Sequence, residues 1–177
     1  MSTLNGRVAL VTGASRGIGN AIALALGAAG AVVAGTATTA AGAEGITRDL
    51  AASGIAGAGY AMDVNDPAQV DATLATIQQQ WGEVAILVNN AGITRDNLLL
   101  RMKDEEWDAI MSTNLKSVYR LSKAVMRSMM KARSGRIISI ASVVGSMGNP
   151  GQANYAAAKA GMMGFSRSLA REIGSRG

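Results

Sequence analysis

The chain of 177 residues contains no cysteine and no histidine. Disulfides, thiolate nucleophiles, Cys/His zinc sites and any Ser-His or Cys-His catalytic pair are therefore excluded, and no metal centre is expected. Acid–base chemistry falls to Tyr, Lys, Asp or Glu. The lack of cysteine suits a reducing compartment, and a cytoplasmic location is expected. Aromatic residues number only six, too few for a base-stacking platform, and with no recognition helix in view nucleic-acid binding is not expected. Charge is sparse as well: 16% of residues are charged against 49% hydrophobic, the composition of a packed domain and not of a disordered tail. Residues 17–43 carry no charge at all over 27 positions. That stretch is interrupted by Asn20, Gly27, Gly30, Gly35 and three threonines, so it reads as a buried helix and strand, not as a membrane span. The apolar run Val8–Val11 is too short for the core of a leader peptide, and no signal peptide is expected.

What charge there is lies unevenly. Residues 127–177 hold eight Lys/Arg and one acid, Glu172, whereas residues 1–126 hold nine basic and eleven acidic residues. A basic carboxy-terminal third suggests an acidic partner, most simply an acidic protein.

Along the chain, short apolar runs alternate with helical periodicity. Strands are expected at Arg7–Thr12, Ala31–Gly35, Ala56–Met62, Val84–Val88 and Arg136–Ile140. Helices are expected at Gly17–Ala28, with Ile18, Ile22 and Leu26 on one face, and at Ala40–Ala52, which looks poorly capped. Another begins at Asp66-Pro67 and buries Val70, Leu74, Ile77 and Trp81. Two more span Asp104–Ala132 and Asn154–Ile173. The pattern predicts one domain over residues 1–177, of α/β class: a Rossmann-like, doubly wound parallel sheet in three α/β/α layers. The last helix would normally lead to a further strand.

Gly13-Ala14-Ser15-Arg16-Gly17-Ile18-Gly19 joins the first strand to the first helix. Glycines at these positions let the backbone turn tightly and approach a pyrophosphate held at the helix N-terminus. The second strand ends without the acid that usually holds a ribose 2′-hydroxyl, and Arg16 can meet a 2′-phosphate instead. NADPH is thus favoured over NADH. Tyr155 and Lys159 stand one turn apart on the last helix, where the ammonium can stabilise a phenolate. Ser142 follows the fifth strand at the sheet edge where open α/β folds bind ligands. Asn89–Gly92 and Asp63-Val64 leave the fourth and third strands at that edge, and Asn114 is a lone polar residue among apolar ones in the long helix. An asparagine there commonly bends back onto backbone.

Taken together, Thr12–Gly19, Asn89–Gly92, Asn114, Ser142 and Tyr155-x-x-x-Lys159 resemble the short-chain dehydrogenase/reductase family, from the first strand to the last residue. The segments Asn89–Asn97, Met102–Trp107 and Gly151–Gly161 look most like its bacterial members that reduce 3-oxoacyl groups on an acyl carrier protein in fatty-acid synthesis. The resemblance implies Tyr155 as general acid, Lys159 as its electrostatic partner and ribose ligand, Ser142 as carbonyl hydrogen-bond partner, and Asn114 as the residue positioning a relay water. It implies a cofactor cradle of Gly13–Gly19 with Thr38 at the phosphate end, Asp63 and Val64 at the adenine, and Asn90, Ala91 and Gly92 at the middle. Arg133 and Arg176 would dock the carrier protein. A homo-oligomer paired through the two long helices, tetrameric in the family, is implied too. The chain is similar to the family up to the point where a substrate-covering segment begins, so the loop 142–151 is expected to be mobile. Ala85 stands where the family usually has Asp, with little consequence expected. Two alternatives stay open: a short-chain dehydrogenase acting on another ketone or alcohol, and a non-catalytic dinucleotide-binding module.

Overall fold

The computed structural model describes residues 3–177; Met1 and Ser2, part of the stretch read for a leader, lie outside the described residues. Five strands form one parallel sheet: β1 (Val8–Val11), β2 (Val32–Ala37), β3 (Gly57–Ala61), β4 (Val84–Asn89) and β5 (Arg136–Ser139). Their spatial order is β3-β2-β1-β4-β5. The chain thus winds outward from β1 to β3, then returns to the far side of β1 and winds outward again. The reversal falls between β1 and β4, and the loops leaving those two strands open a crevice there.

The inner strands β1, β2 and β4 are buried on both faces, as their nearly all-apolar sequences require, whereas Ile138 of the edge strand β5 is 44% exposed. In β1, Val8 and Leu10 enter one core with Leu87, Val70, Ile77, Leu121 and Val125. Ala9 and Val11 enter the other with Ala23, Val33, Ile46, Leu50 and Val88. The first core packs α3 (Pro67–Trp81) and α5 (Ser117–Ala132) on the sheet; the second packs α1 (Gly17–Ala28) and α2 (Ala40–Ala52). Each fully buried Leu or Ile contributes about 1.5–3 kcal/mol. The last helix, α7 (Ala153–Ile173), packs against α4 (Asp104–Met111) and the short α6 (Val144–Met147).

Several sequence expectations change in detail. The second strand runs on to Ala37, because Thr36 and Ala37 pair with Tyr60 and Ala61 of β3. The fully buried positions of α1 are Gly19 and Ala23; Ile22 and Leu26 are partly buried and pack against the same core, whereas Ile18 is exposed. Helix α2 is well capped: the Thr39 hydroxyl accepts from Gly42 N at 3.1 Å. Asp66 caps α3 as expected, accepting from Ala68 N and Gln69 N. Its face holds Val70 and Ile77 in the core, while Trp81 stays partly exposed and donates to the Tyr60 hydroxyl. The helix expected over Asp104–Ala132 is interrupted by a π-turn at Ser112–Lys116. Ala85 is the extra residue of a bulge, since Val8 pairs with Val84 and Ala9 with Ile86. Within the loop 142–151 lies α6, whose Gly145 sits against the backbone of Lys159 and Ala160.

Helix α2 sits unusually near β3. A Cβ at Gly59 would collide with the Ala43 carbonyl and come within 2.9 Å of the Ile46 Cβ. Gly59→Ala is expected to lower stability by about 1–3 kcal/mol through overpacking, measured as a lower urea midpoint with unchanged slope.

Candidate active site

Pinning of the phosphate loop begins with Thr12 at the end of β1. Its hydroxyl donates to the Val88 carbonyl at 3.2 Å and accepts from Asn90 N and Ala91 N, each at 3.0 Å. Asn90 returns the contact: its Nδ2 donates to the carbonyls of Thr12 at 2.9 Å and Gly13 at 3.1 Å. The two loops at the reversal of the sheet are thereby joined into one unit. Gly13 lies at φ +65 and Gly17 at φ +56, both in the left-handed region that glycine tolerates. Gly19 packs so close that a Cβ would overlap the Gly13 carbonyl.

Helix α1 has no side-chain cap, because Arg16 occupies the capping position and makes no cap hydrogen bond. The first-turn N–H groups, at the positive end of the helix dipole, are left for an anion. They face a cleft of about 850 Å³ lined by Gly13 and Ser15 to Gly19, Thr38, Asp63, Val64 and Asn90 to Gly92. Ala14, expected in the cradle, is instead wholly buried beneath it; its N–H donates to the Thr36 carbonyl and its side chain joins the core. Val64 likewise sends its side chain into the core. Lining residues that sequence reading missed are Thr39 and Gly42 at the start of α2, Asn65, Ile93 and Thr113. Thr39 carried a visible signal, as a capping residue just past β2. Asn65 and Thr113 carried none, since they meet only in three dimensions, where Asn65 Nδ2 donates to the Thr113 hydroxyl at 3.0 Å.

No acid ends β2, and the guanidinium of Arg16 borders the cleft without an ion-pair partner among the described residues. The donor-rich helix end, the glycine cradle and this free cation fit a dinucleotide carrying an additional phosphate.

Ser142, Tyr155 and Lys159 stand at the carboxyl end of β5. Lys159 is only 4% exposed, and its ammonium donates to the Ile140 carbonyl at 2.6 Å. Burial holds its pKa below the usual lysine value. The same ammonium lies 5.6 Å from the centre of the Tyr155 ring. It carries no salt bridge among the described residues, so its field is not cancelled by a carboxylate. The Ser142 hydroxyl accepts from Val144 N at 3.2 Å, and no hydrogen bond among the described residues joins it to the Tyr155 hydroxyl.

Asn114 links the two halves. The π-turn inserts one extra residue and places its side chain, 0% exposed, against the segment leaving β4. Its Oδ1 accepts from Ile93 N at 2.9 Å and its Nδ2 donates to Ile93 O at 2.8 Å. The side chain does bond to backbone, but to a distant strand end and not to its own helix.

Arg133 and Arg176 lie elsewhere. Arg133 ends α5 at φ 50, and Arg176 sits in a 3₁₀ turn after α7. Helix α7 has 21 residues, about 31 Å at 1.5 Å per residue, with Tyr155 near its start. Both arginines are therefore at the opposite edge of the sheet from the cleft. Arg176 lines a separate groove of about 210 Å³ with Met129, Ile137 and Leu169.

A parallel sheet with a crevice at its reversal, a glycine phosphate cradle and a Tyr/Lys pair at the next strand end defines a dinucleotide-dependent oxidoreductase fold. A family model described as short chain dehydrogenase matches residues 7–177, and the chain belongs to that family. It is 67% identical over 174 residues, 98% of this chain and 70% of the relative, to the 3-oxoacyl-[acyl-carrier-protein] reductase of Pseudomonas aeruginosa. The enzyme of the same name from Escherichia coli K12 is 66% identical over 172 residues, 97% of this chain and 69% of the relative. That from Vibrio harveyi is 60% identical over 174 residues, 98% and 70%.

Two outcomes test this geometry. Gly19→Ala should weaken nicotinamide dinucleotide binding at least about tenfold, or 1.4 kcal/mol, in a chain whose far-UV circular dichroism is unchanged; titration calorimetry reads it. Glu106 accepts from Lys103 N and from Asn97 Nδ2, and these bonds hold its pKa below the ordinary carboxylate value. Its ionised form therefore stabilises the fold above about pH 4.3, and that stability is lost as pH falls through the lower folded value. The urea midpoint of Glu106→Gln should lie below the parent's at pH 7, and the two should converge in acid.

Proposed function

We propose that the chain reduces 3-oxoacyl groups on an acyl carrier protein to 3-hydroxyacyl groups, with NADPH as the reductant, as a step of fatty-acid elongation. The observation that carries the reading is the placement of Tyr155, the unpaired buried Lys159 and Ser142 at one strand end, beside a phosphate cleft. The names of relatives 60–67% identical to this chain support the substrate class.

In this reading Gly13–Gly19 and Lys159 would hold the cofactor, which when bound would supply hydride to the substrate carbonyl carbon. The Tyr155 hydroxyl donates its proton to the carbonyl oxygen, and Ser142 donates a hydrogen bond to that oxygen, which holds it in place as negative charge develops. Lys159 lowers the cost of leaving a phenolate behind and binds the nicotinamide ribose. Asn114 contributes by holding Ile93 beside the cleft through one accepted and one donated bond; its second lone pair and second N–H leave it able to position the relay water of this reading. Arg16 selects the 2′-phosphate. The alternative of a binding module without chemistry is disfavoured by the intact Ser142, Tyr155 and Lys159.

Arg133 and Arg176 are the basic pair proposed to dock the carrier. Their place at the far edge from Tyr155 means that a carrier bound there reaches a neighbouring copy's site more readily than its own. The oligomer proposed for the chain supplies such a neighbour. Leu115, Tyr119 and Phe165 line an open apolar groove between α5 and α7, with Tyr119 48% exposed, and pairing of these faces about a two-fold axis would cover it. No described helix is long and apolar enough to cross a membrane; with the absence of cysteine, this supports a cytoplasmic assignment.

NADPH oxidation with a 3-oxoacyl thioester tests the reading. Tyr155→Phe should lose at least about 10²-fold in kcat while still binding NADPH; near-parental turnover would refute its role as acid. The parent should prefer NADPH to NADH, and Arg16→Ala should narrow that preference by weakening NADPH alone. Light scattering at micromolar concentration should show an oligomer, and a monomeric mass would overturn the helix-pairing proposal.

A further inference from the structure

Helix α7 begins at Ala153, and Gln152 at its capping position offers no side-chain cap. The task of fixing the helix start falls to Asn154, which is 0% exposed. Its Oδ1 accepts from Tyr155 N at 2.7 Å. Its Nδ2 donates to the Arg95 carbonyl at 2.9 Å and to the Glu106 carbonyl at 3.4 Å. One buried amide thus joins three elements: the backbone of Tyr155 itself, the segment leaving β4, and α4. Two outer contacts reinforce the junction without being buried. Gly151 O accepts from Asn97 N at 2.8 Å, and Gln152 Nε2 donates to the Asp96 carboxylate at 2.9 Å.

We propose that Asn154 is a positioning residue for the reaction, setting where the Tyr155 hydroxyl stands by bonding the Tyr155 backbone to the segment that also lines the cofactor cleft. The proposal rests on the reading of Tyr155 as the general acid. Its physical basis is the amide's two-sided chemistry. Only a side chain that both accepts and donates satisfies an N–H on one side and two carbonyls on the other. Aspartate could accept from Tyr155 N but would set a carboxylate against two carbonyl oxygens. Alanine would leave all three backbone groups without this partner, at a side chain that is itself fully buried. The segment from Ile93 to Asn97 is then held at one end by Asn114 through Ile93 and at the other by Asn154 through Arg95. Cofactor cleft and proton donor share one rigid strap, and proton transfer is sensitive to small displacements of the donor.

The experiment combines kinetics with fluorine NMR on the full chain labelled with 3-fluorotyrosine. The chain has three tyrosines, and the Tyr155 resonance is assigned by its loss in Tyr155→Phe. In Asn154→Ala, the Tyr155 resonance should shift or broaden while those of Tyr60 and Tyr119 stay in place. The kcat should fall about 10- to 100-fold, the scale of a misplaced catalytic group, with NADPH affinity within about twofold, far less than a tenfold change. Asn154→Ser keeps one acceptor and one donor and should lie between the two. If the alanine variant does not fold, the serine variant decides. A folded variant with an unmoved Tyr155 resonance and parental kcat would overturn the proposal. So would equal losses of kcat and NADPH affinity with all three resonances displaced, because that marks a general structural role. If Tyr155→Phe itself turns over normally, the reading of Tyr155 fails, while the movement of its resonance still reports on whether Asn154 positions it.

Discussion

The contact between the end of β1 and the end of β4 is the constraint on which the site depends. Asn90 makes two hydrogen bonds to Thr12 across it and a third to the Gly13 carbonyl, and Ala91 N adds another to the Thr12 hydroxyl, while Gly19 closes against the same Gly13 carbonyl that Asn90 holds. A parallel sheet that reverses direction between these strands leaves a crevice whatever its loops contain. The exchange of bonds turns that crevice into a shaped cradle, because the backbone of the phosphate loop cannot relax away from β4. The absence of a side-chain cap on α1 follows the same logic: a helix end reserved for a ligand's anion is left without a competing internal acceptor.

The second half of the site is organised by one buried charge. Burial disfavours the ammonium of Lys159, which is compensated by its hydrogen bond to the Ile140 carbonyl and by the nearby Tyr155 ring. A carboxylate partner would have relieved that cost but would also have cancelled the positive field at Tyr155. The arrangement therefore exchanges some stability for an electrostatic environment suited to a phenolate, the usual trade at a functional site.

Between the halves runs a relay of side-chain amides rather than charges. Asn90 holds the phosphate loop, Asn114 holds Ile93, and Asn154 holds Arg95 and the start of α7. Each amide donates to a backbone carbonyl that would otherwise lack this bond, and each is neutral. Amides suit this role because they satisfy a donor and an acceptor together without the desolvation cost of a buried carboxylate.

The sequence by itself determined the five-strand, doubly wound plan, because apolar runs and helical periodicity are local signals that survive without tertiary context. It determined the phosphate loop equally well, since Gly13, Gly17 and Gly19 fall within one short stretch of sequence, and it placed Tyr155 and Lys159 on one face through helical spacing alone. Tertiary structure decided what depends on residues distant in the chain. Ala14 passed from the cradle to the core because Thr36 claimed its N–H. Ile18 was left exposed at the first turn of α1, while Ile22 and Leu26 further along pack against the core as the periodicity implied. Asn114 acquired its partner because a π-turn, which no periodicity announces, rotated it toward Ile93. Asn154 was passed over for the same reason: its partners lie 48 and 59 positions away, and a hydrogen bond to a backbone carbonyl leaves no trace in the identity of the residue that supplies it.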